Sequence, residues 1–259
     1  MGRENGRVEI RSISLPAPDR RPPAMNEDLV LTGPDFAVVL DGATAGQGID
    51  SGCRHTVAWL VAQLARQLAV PLLSQSSAPL PELLADAIAA VCAVHAGTCD
   101  LTNPDSPSST VAMFRAGQDH VEHLVLADSP LVVRAPDGAI TVHSDNRVEL
   151  LPEYTFEAVR RLRNQPGGFW AASTEPKAAY EALTGTTDRA EVELIAVLSD
   201  GAARYAERYG QSWEDLLEVL ETEGPATLVE RVWKYDEAAH PDTFRGKRYD
   251  DATAVLCRL

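Results

Sequence analysis

The order of the predicted helices and strands is the feature that most limits how this chain can fold. Patterns of apolar residues predict strands first, then two helices, a run of strands, a mixed charged segment, one strand, two helices and a closing strand. This order does not alternate strand and helix as βαβ units do, which argues against a doubly wound parallel sheet. We therefore predict an α+β fold of mainly antiparallel sheets with helices packed outside them.

The predicted elements have definite bounds. Strands are expected at residues 8–15, 29–31, 36–40, 110–114, 121–126, 131–133, 139–142, 193–198 and 252–257. Helices are expected at residues 55–73, 81–95, 156–163, 213–220 and 226–235. Pro71 should stop the first helix, and Pro136-Asp137-Gly138 should turn a hairpin between residues 131 and 142. The length of 259 residues suits a single domain, residues 1–259.

The strongly acidic charge limits the partners of the chain. Lys and Arg together number 23 against 38 Asp and Glu, which gives a formal net charge of -15. Such a surface repels nucleic-acid phosphates and anionic lipid, so we expect neither as a partner. It would concentrate cations if its carboxylates converged in one place.

The sequence also predicts a cytoplasmic protein. Its polar N-terminus leads to no apolar segment of the secretory kind, and the longest apolar stretch, residues 56–73, is broken by polar residues and Pro71.

The four cysteines have no C-x-x-C spacing and predict free, buried thiols: Cys53, Cys92, Cys99 and Cys257. His55 is interpreted as a helix-surface or core residue, with reach to a functional site as the alternative, and no role is assigned to His95.

Acidic residues recur at the ends of short apolar strands. Asp41 and Asp200 each follow an apolar run and precede a glycine, Asp250 precedes the closing strand, and Asp128 ends another. A single aspartate in such a place is usually a turn former. Several on one sheet system would raise one another's pKa unless a cation compensated their charge. A set of oxygen ligands favours magnesium or manganese, and zinc is disfavoured because no histidine lies at metal spacing beside these carboxylates.

An ordered set of short motifs carries a resemblance to a known family. The motifs are Asn26-Glu27-Asp28, Val39-Leu40-Asp41-Gly42, Ser108-Ser109-Thr110, Ala127-Asp128-Ser129, Leu198-Ser199-Asp200-Gly201 and Asp250-Asp251-Ala252-Thr253. Their order and separations resemble the metal-dependent Ser/Thr protein phosphatases of type 2C, in their bacterial form. The resemblance implies a β-sandwich of two sheets flanked by helices, with a pair of Mn²⁺ or Mg²⁺ ions at one edge. It also implies a variable flap within residues 144–190.

The resemblance assigns roles to individual residues. It implies that Asp41 bridges the two ions and acts with Asp200 in catalysis through metal-activated water. The implied ligands of the two ions are Asp28 (with Glu27 as the alternative), Asp41, Gly42, Asp200 and Asp250; Asp128 is implied for a third, weaker site. Ser108-Ser109-Thr110 is implied to be core rather than catalytic.

The chain departs from the family pattern around the substrate phosphate. Pro23 stands where an arginine is expected, and Arg20 and Arg21 nearby are the candidates to replace it. Residues 43–46 read Ala-Thr-Ala-Gly after the Asp-Gly, where family members of the best-known kind have His-Gly-Gly. Pro130 replaces a further arginine beside Asp128.

The function that the resemblance implies is hydrolysis of phosphoserine and phosphothreonine in proteins, in signalling that opposes a cytoplasmic Ser/Thr kinase. Two divalent ions would acidify a bridging water, and the resulting hydroxide would attack phosphorus in line. Two alternatives remain open. One is a phosphatase-like binding or regulatory module without turnover, motivated by Pro23 and Pro130. The other is a metal-dependent phosphoester hydrolase that acts on a small molecule.

Overall fold

Two antiparallel sheets form the centre of the fold. The computed structural model describes residues 8–20, 25–43, 48–153, 155–240 and 247–259. The first sheet has the order β1 (Glu9–Leu15), β11 (Ala252–Arg258), β10 (Leu194–Leu198), β7 (Leu131–Arg134) and β8 (Ile140–His143). The second has the order β2 (Asp28–Thr32), β3 (Phe36–Ala43), β5 (Val111–Ala116), β6 (His120–Leu126) and β9 (Leu183–Asp188), with the short β4 (Ser108–Ser109) paired to β3.

Five helices cover the outer faces of the sheets: α1 (Val57–Leu73), α2 (Leu80–His95), α4 (Asp200–Glu207), α5 (Trp213–Thr222) and α6 (Pro225–Ala238). One apolar cluster joins α1 and α2 to the second sheet, and another joins α4, α5 and α6 to the first. The short helix α3 (Phe156–Leu162) belongs to neither of these clusters. The third cluster lies between the sheets. The order helix, sheet, sheet, helix is the predicted flanked sandwich.

Strand β3 shows how the sequence produces these layers. Val38 and Leu40 belong to the cluster under α1 and α2, whereas Ala37 and Val39 belong to the cluster between the sheets. Successive side chains of a strand point to opposite faces, so a strand covered on both faces must be apolar throughout. This run then continues into Asp41 and carries it to the edge of the core.

The predicted elements are largely present, with differences at their ends. Pro71 lies inside α1 rather than stopping it, because a proline in the last turn removes only one backbone donor. Helix α1 begins at Val57 and not at residue 55: the Thr56 Oγ1 accepts from the Trp59 N–H at 3.2 Å and caps the helix. The hairpin of β7 and β8 is confirmed, with Gly138 in the left-handed region at φ 90°.

The segment 144–190 is more structured than its mixed sequence indicated. Strand β9 closes one edge of the second sheet, and Ala178 and Ala179 are fully buried in the core under α1 and α2. Most β9 side chains are partly or fully exposed, so the strand lacks the apolar signal that identified the others. Helix α4 was also missed, because its first residues were interpreted as a turn. Within the described ranges, no helix has the length and apolar character needed to cross a membrane.

Candidate metal centre

Two of the predicted carboxylates face each other across a strand pair. Asp28 on β2 is the antiparallel register partner of Asp41 on β3. Both therefore lie within strands, whereas Asp41 was expected just after one. The Asp28 carboxylate is buried and accepts a hydrogen bond from the Thr253 Oγ1 at 2.9 Å. This contact brings the start of β11 to the end of the β2–β3 hairpin.

Asp200 joins this pair from the other sheet. It is the first residue of α4, and its backbone N–H lies 3.3 Å from the Asp41 Oδ2. Gly201 allows the helix to begin there, since a Cβ at this position would lie 2.0 Å from the backbone oxygen of Asp251. Gly42 is equally confined, by Val57 and the Glu27 carbonyl. Both glycines of the Asp-Gly pairs are thus required by close packing.

Asp250 is the member of the group that has basic partners. Its Oδ2 accepts from the Arg204 Nη2 at 2.8 Å, and its Oδ1 lies 3.3 Å from the Lys247 Nζ. The Arg204 side chain is only 2% exposed and also faces the buried Asp236 carboxylate at 3.4 Å. Arg204 therefore fixes the Asp250 carboxylate from inside the protein. The sequence analysis missed it, because a lone arginine on a helix carries no signal of burial.

A strained residue directs Asp128 toward the cluster. Ala127 has φ 66°, in the left-handed region that a non-glycine residue rarely adopts. Its N–H donates to the Asp145 Oδ2 at 3.1 Å, and Asp145 is itself held by Arg147. Such strain persists only where neighbouring contacts fix the backbone.

The electrostatics of the group show that it lacks compensating charge. Burial, reinforced by neighbouring carboxylates, raises the pKa of Asp28 and of Asp128 to about 7 each. The same causes raise the pKa of Asp41 well above its usual range. The salt bridges of the described residues reach Asp250 but not these three. A set of buried and partly buried oxygen donors with little compensating charge fits a hard divalent cation.

Glu27 and Arg20 lie in a separate network beside the carboxylates. The Arg20 Nη2 donates to the Glu27 carboxylate at 2.8 Å, and its Nε donates to Asp251 at 2.6 Å. Asp251 also accepts from the backbone N–H groups of Ala17 and Glu27. The Arg20 guanidinium thus links the segment after β1 to Asp251, the residue that precedes β11. Arg21 and Pro23 lie outside the described residues.

A cleft of about 590 Å³ opens beside Asp128 and Asp200. Its lining includes two further carboxylates, Glu149 and Glu207, and the basic side chain of Arg208. Burial raises the pKa of Glu207 to about 7. Part of the wall comes from residues 144–152, the start of the segment in which a flap was expected. The cleft is acidic apart from Arg208.

The structure also brings together four residues that the sequence analysis left apart. Their ligand atoms lie within 4.8 Å of one another: Cys53, His55, His95 and Cys99. All four cysteines of the chain are free, as predicted, but only Cys257 is buried. The spacings Cys-x-His and His-x3-Cys were the available signal.

Comparison with known proteins identifies the family. A family model described as Protein phosphatase 2C matches residues 27–232. The chain therefore belongs to the protein phosphatase 2C family. This match confirms the family predicted from the sequence, together with its class of enzyme, a phosphatase. No curated protein sequence matches the chain significantly.

Solved structures of bacterial phosphatases share the fold. The Mycobacterium tuberculosis serine/threonine phosphatase PstP/Ppp superposes with a TM-score of 0.63 at 17% identity, covering 98% of this chain and 99% of that one. Stp1 from Staphylococcus aureus gives 0.64 at 12% identity, covering 100% and 99%. The PstP catalytic domain in complex with two manganese ions gives 0.61 at 17% identity, covering 97% and 98%. These similarities confirm the α+β sandwich.

Proposed function

We propose that this protein is a metal-dependent phosphatase that hydrolyses phosphoserine and phosphothreonine in other proteins. The observation that carries the proposal is the convergence of five sequence-distant aspartates within the fold of this family: Asp28, Asp41, Asp128, Asp200 and Asp250. Of these five, only Asp250 forms salt bridges among the described residues. Burial, reinforced by neighbouring carboxylates, raises the pKa of three of the other four, Asp28, Asp41 and Asp128, and a bound cation would offset both effects.

The arrangement of these donors supports the metal ligands that the family resemblance implies. We assign two Mn²⁺ or Mg²⁺ ions to Asp28, Asp41, Gly42, Asp200 and Asp250, with Asp128 for a third, weaker ion. Asp28 is favoured over Glu27, because the Glu27 carboxylate is engaged by Arg20. When bound, such ions polarise the phosphoryl oxygens and lower the pKa of the attacking water. The manganese found in the PstP complex supports this choice of ion.

The residues of the chain then have separate tasks. Arg204 and Lys247 hold the Asp250 carboxylate, and the Asp200 N–H holds that of Asp41, so these ligands keep their orientation before an ion arrives. A phosphate dianion is repelled by the acidic cleft unless cations sit at the carboxylates. Asp41 and Asp200 therefore act through the ions that they hold. Arg21, with Arg20, remains our candidate for a phosphate contact.

The wider assignments rest on the same proposal. Residues 144–152 line the cleft, which supports a role for this part of residues 144–190 as a flap beside the substrate. We propose that residues 1–259 form one phosphatase domain, and that it acts in cytoplasmic signalling against a Ser/Thr kinase. The net charge of -15 disfavours nucleic acid and anionic membranes as partners.

The test is metal-dependent turnover of a phosphothreonine peptide and of an aryl phosphate. With manganese, both should be hydrolysed, and chelation should stop the reaction. Asp41→Asn and Asp200→Asn should each reduce the rate by more than about 100-fold, since a metal ligand should matter at least as much as the residues that orient one. Asp137→Asn, in the exposed turn of the β7–β8 hairpin, is the control and should retain activity.

The alternatives give different results in this experiment. A binding module would bind manganese, measured by calorimetry, without turnover of either compound. A small-molecule hydrolase would turn over the aryl phosphate and a metabolite panel while leaving phosphopeptides intact. Either result would overturn the proposed function.

A further inference from the structure

Two cysteines and two histidines from distant parts of the chain meet at one point. Cys53 and His55 lie in the loop before α1, and His95 and Cys99 lie at the end of α2 and just beyond it. The cluster contains no carboxylate, and its four residues are distinct from the aspartates of the candidate metal centre.

The separations between sulfur and nitrogen atoms match those of a tetrahedral metal site. The Cys53 Sγ lies 3.1 Å from the Cys99 Sγ, 3.6 Å from the His55 Nδ1 and 3.7 Å from the His95 Nδ1. The Cys99 Sγ lies 3.3 Å from the His55 Nδ1. Bonds of about 2.3 Å to sulfur and 2.0 Å to nitrogen place tetrahedral ligands about 3.3 to 3.8 Å apart. The three sulfur–nitrogen separations fall in this range, and the two sulfurs would have to move apart by about 0.6 Å to bind the same ion.

A second observation points to a ligand. The His95 side chain is buried, and its Nδ1 lies 3.7 Å from the Cys53 Sγ, a weak hydrogen-bonding group. The other ring nitrogen, Nε2, is one of two buried side-chain polar atoms in the described residues that have no hydrogen-bond partner. A buried imidazole normally has partners for its nitrogen atoms, so the protein alone satisfies this ring poorly, and coordination through Nδ1 would give it one strong partner.

The imidazole of His55 is fixed in position before any ion binds. It stacks on the Trp59 ring with centroids 3.9 Å apart, and its Nδ1 faces both sulfurs. A ring held in this way loses little freedom on coordination, which favours metal binding.

We propose that Cys53, His55, His95 and Cys99 bind one Zn²⁺ ion as a structural Cys₂His₂ site. Thiolate and imidazole ligands select zinc over the hard ions that suit carboxylates. Four protein ligands leave no open position for substrate, so this site is structural rather than catalytic. Binding takes the ion from solution and releases the two thiol protons, while both imidazoles bind in their neutral form.

The position of the site indicates what it stabilises. Residues 48–56 lead into α1 and follow, in sequence, the strand that carries Asp41 and Gly42. Two hydrogen bonds already join this loop to the segment after α2. The Asp100 N–H donates to the Gly52 oxygen at 2.8 Å, and the Asn103 Nδ2 donates to the Asp50 oxygen at 3.0 Å. A zinc ion would join the loop before α1 to the end of α2 with four further bonds. It would therefore hold in place the loop that follows the carboxylate site in sequence.

A disulfide between Cys53 and Cys99 is the alternative to metal binding by the two thiols. Their sulfur atoms are 3.1 Å apart, well beyond a bond of about 2.05 Å. A disulfide would also leave both histidines without a function in the cluster. The experiment must therefore separate metal from disulfide.

Cobalt substitution tests the inference without any assay of activity, so it stands apart from the phosphatase proposal. Metal-free, reduced protein is titrated with Co²⁺ in the presence of excess Mg²⁺. The wild type should show one thiolate-to-cobalt charge-transfer band and the intense visible bands of tetrahedral cobalt, and one equivalent of Zn²⁺ should abolish them. Carboxylate ligands cannot produce the thiolate band.

Variants assign the band to the cluster. Cys53→Ser/Cys99→Ser should remove it, whereas Cys92→Ser should retain it, because the Cys92 thiol faces the Thr174 carbonyl at 3.5 Å on another part of α2. His55→Gln, at a half-exposed position, keeps both thiols and should weaken zinc binding by at least about tenfold. The His55→Gln variant therefore tests the zinc site even if the double cysteine variant fails to fold. A wild type without the thiolate band, or one isolated with a Cys53–Cys99 disulfide and no zinc, would overturn the inference.

Discussion

Asp28 and Asp41 are antiparallel register partners on β2 and β3, so a single hairpin places two carboxylates side by side before any long-range contact forms. The hydrogen bond from Thr253 on β11 to Asp28 and the Asp200 N–H directed at Asp41 then connect the two sheets at this point. The candidate metal centre is therefore built at the meeting point of both sheets. Changes in its occupancy should affect the stability of the whole fold.

Manganese should stabilise the protein measurably. An ion that binds the folded state alone, at a hundred times its dissociation constant, adds about 2.7 kcal/mol to the free energy of unfolding. Urea unfolding with and without manganese measures this change, and Asp41→Asn should abolish most of it. A wild-type unfolding curve that manganese leaves unchanged would count against convergence of the carboxylates on an ion.

Arg204→Met should destabilise the protein by about 3 kcal/mol. The substitution leaves buried Asp236 and partly buried Asp250 without their shared guanidinium, and removing one partner of a buried ion pair is costly. Arg231→Met is the control, since Arg231 pairs with Glu223 on the surface, where ion pairs contribute little. Urea unfolding of both variants should separate them clearly; equal effects would contradict the structural role given to Arg204.

Gly201→Ala should both destabilise the protein and weaken manganese binding. The new Cβ would lie 2.0 Å from the Asp251 oxygen, so the start of α4 must move and carry Asp200 with it. We expect a loss of about 2 kcal/mol, within the range for overpacking. Gly97→Ala, where no atom lies within 4 Å of the added carbon, is the control. Calorimetric manganese affinity that matches between the two variants would contradict the packing argument.

His123 should make the protein sensitive to acid. Burial, together with the charge of nearby His143, lowers its pKa from 6.5 to about 4. The unfolded chain therefore binds a proton in this window that the folded protein excludes, so stability falls as pH decreases from 6.5 to 4, by roughly 2 kcal/mol. The His123 and His143 rings lie 3.9 Å apart between centroids.

Thermal unfolding across this pH range measures the effect. His123→Phe retains a ring beside His143 but has no titratable nitrogen, and it should flatten the dependence on pH. His120→Gln changes an exposed histidine of the same strand and should leave the dependence as it is. An unaltered slope in His123→Phe would assign the acid sensitivity to other groups.

Much of the fold could be predicted because its strands are apolar on both faces. Strands such as β3 and β10 are covered by a sheet on one side and helices on the other, which produces continuous apolar runs. Strand β9 was missed because it is an exposed edge, and α4 because Asp200-Gly201 is typical of a turn as well as of a helix start. The apolar sequence pattern was weak wherever an element was only partly buried.

The carboxylate group was predictable only as an ordered set. No single Asp-Gly is specific, but the whole series indicated the family, and the family match confirms that inference. The preference for Asp28 over Glu27 came from the resemblance, and the side-chain contacts of the two adjacent residues support it. The burial of Arg204 depended on long-range packing that no local pattern expresses. The spacings Cys-x-His and His-x3-Cys were visible in the sequence, but only packing shows that Cys53, His55, His95 and Cys99 meet.

A crystal structure with manganese, and an anomalous difference map at the manganese absorption edge, tests the central claim most directly. We predict two strong peaks among the carboxylates of Asp28, Asp41, Asp200 and Asp250, with a third, weaker peak near Asp128. Maps without a peak at these carboxylates, in crystals of protein that hydrolyses phosphopeptide in the same manganese buffer, would contradict it.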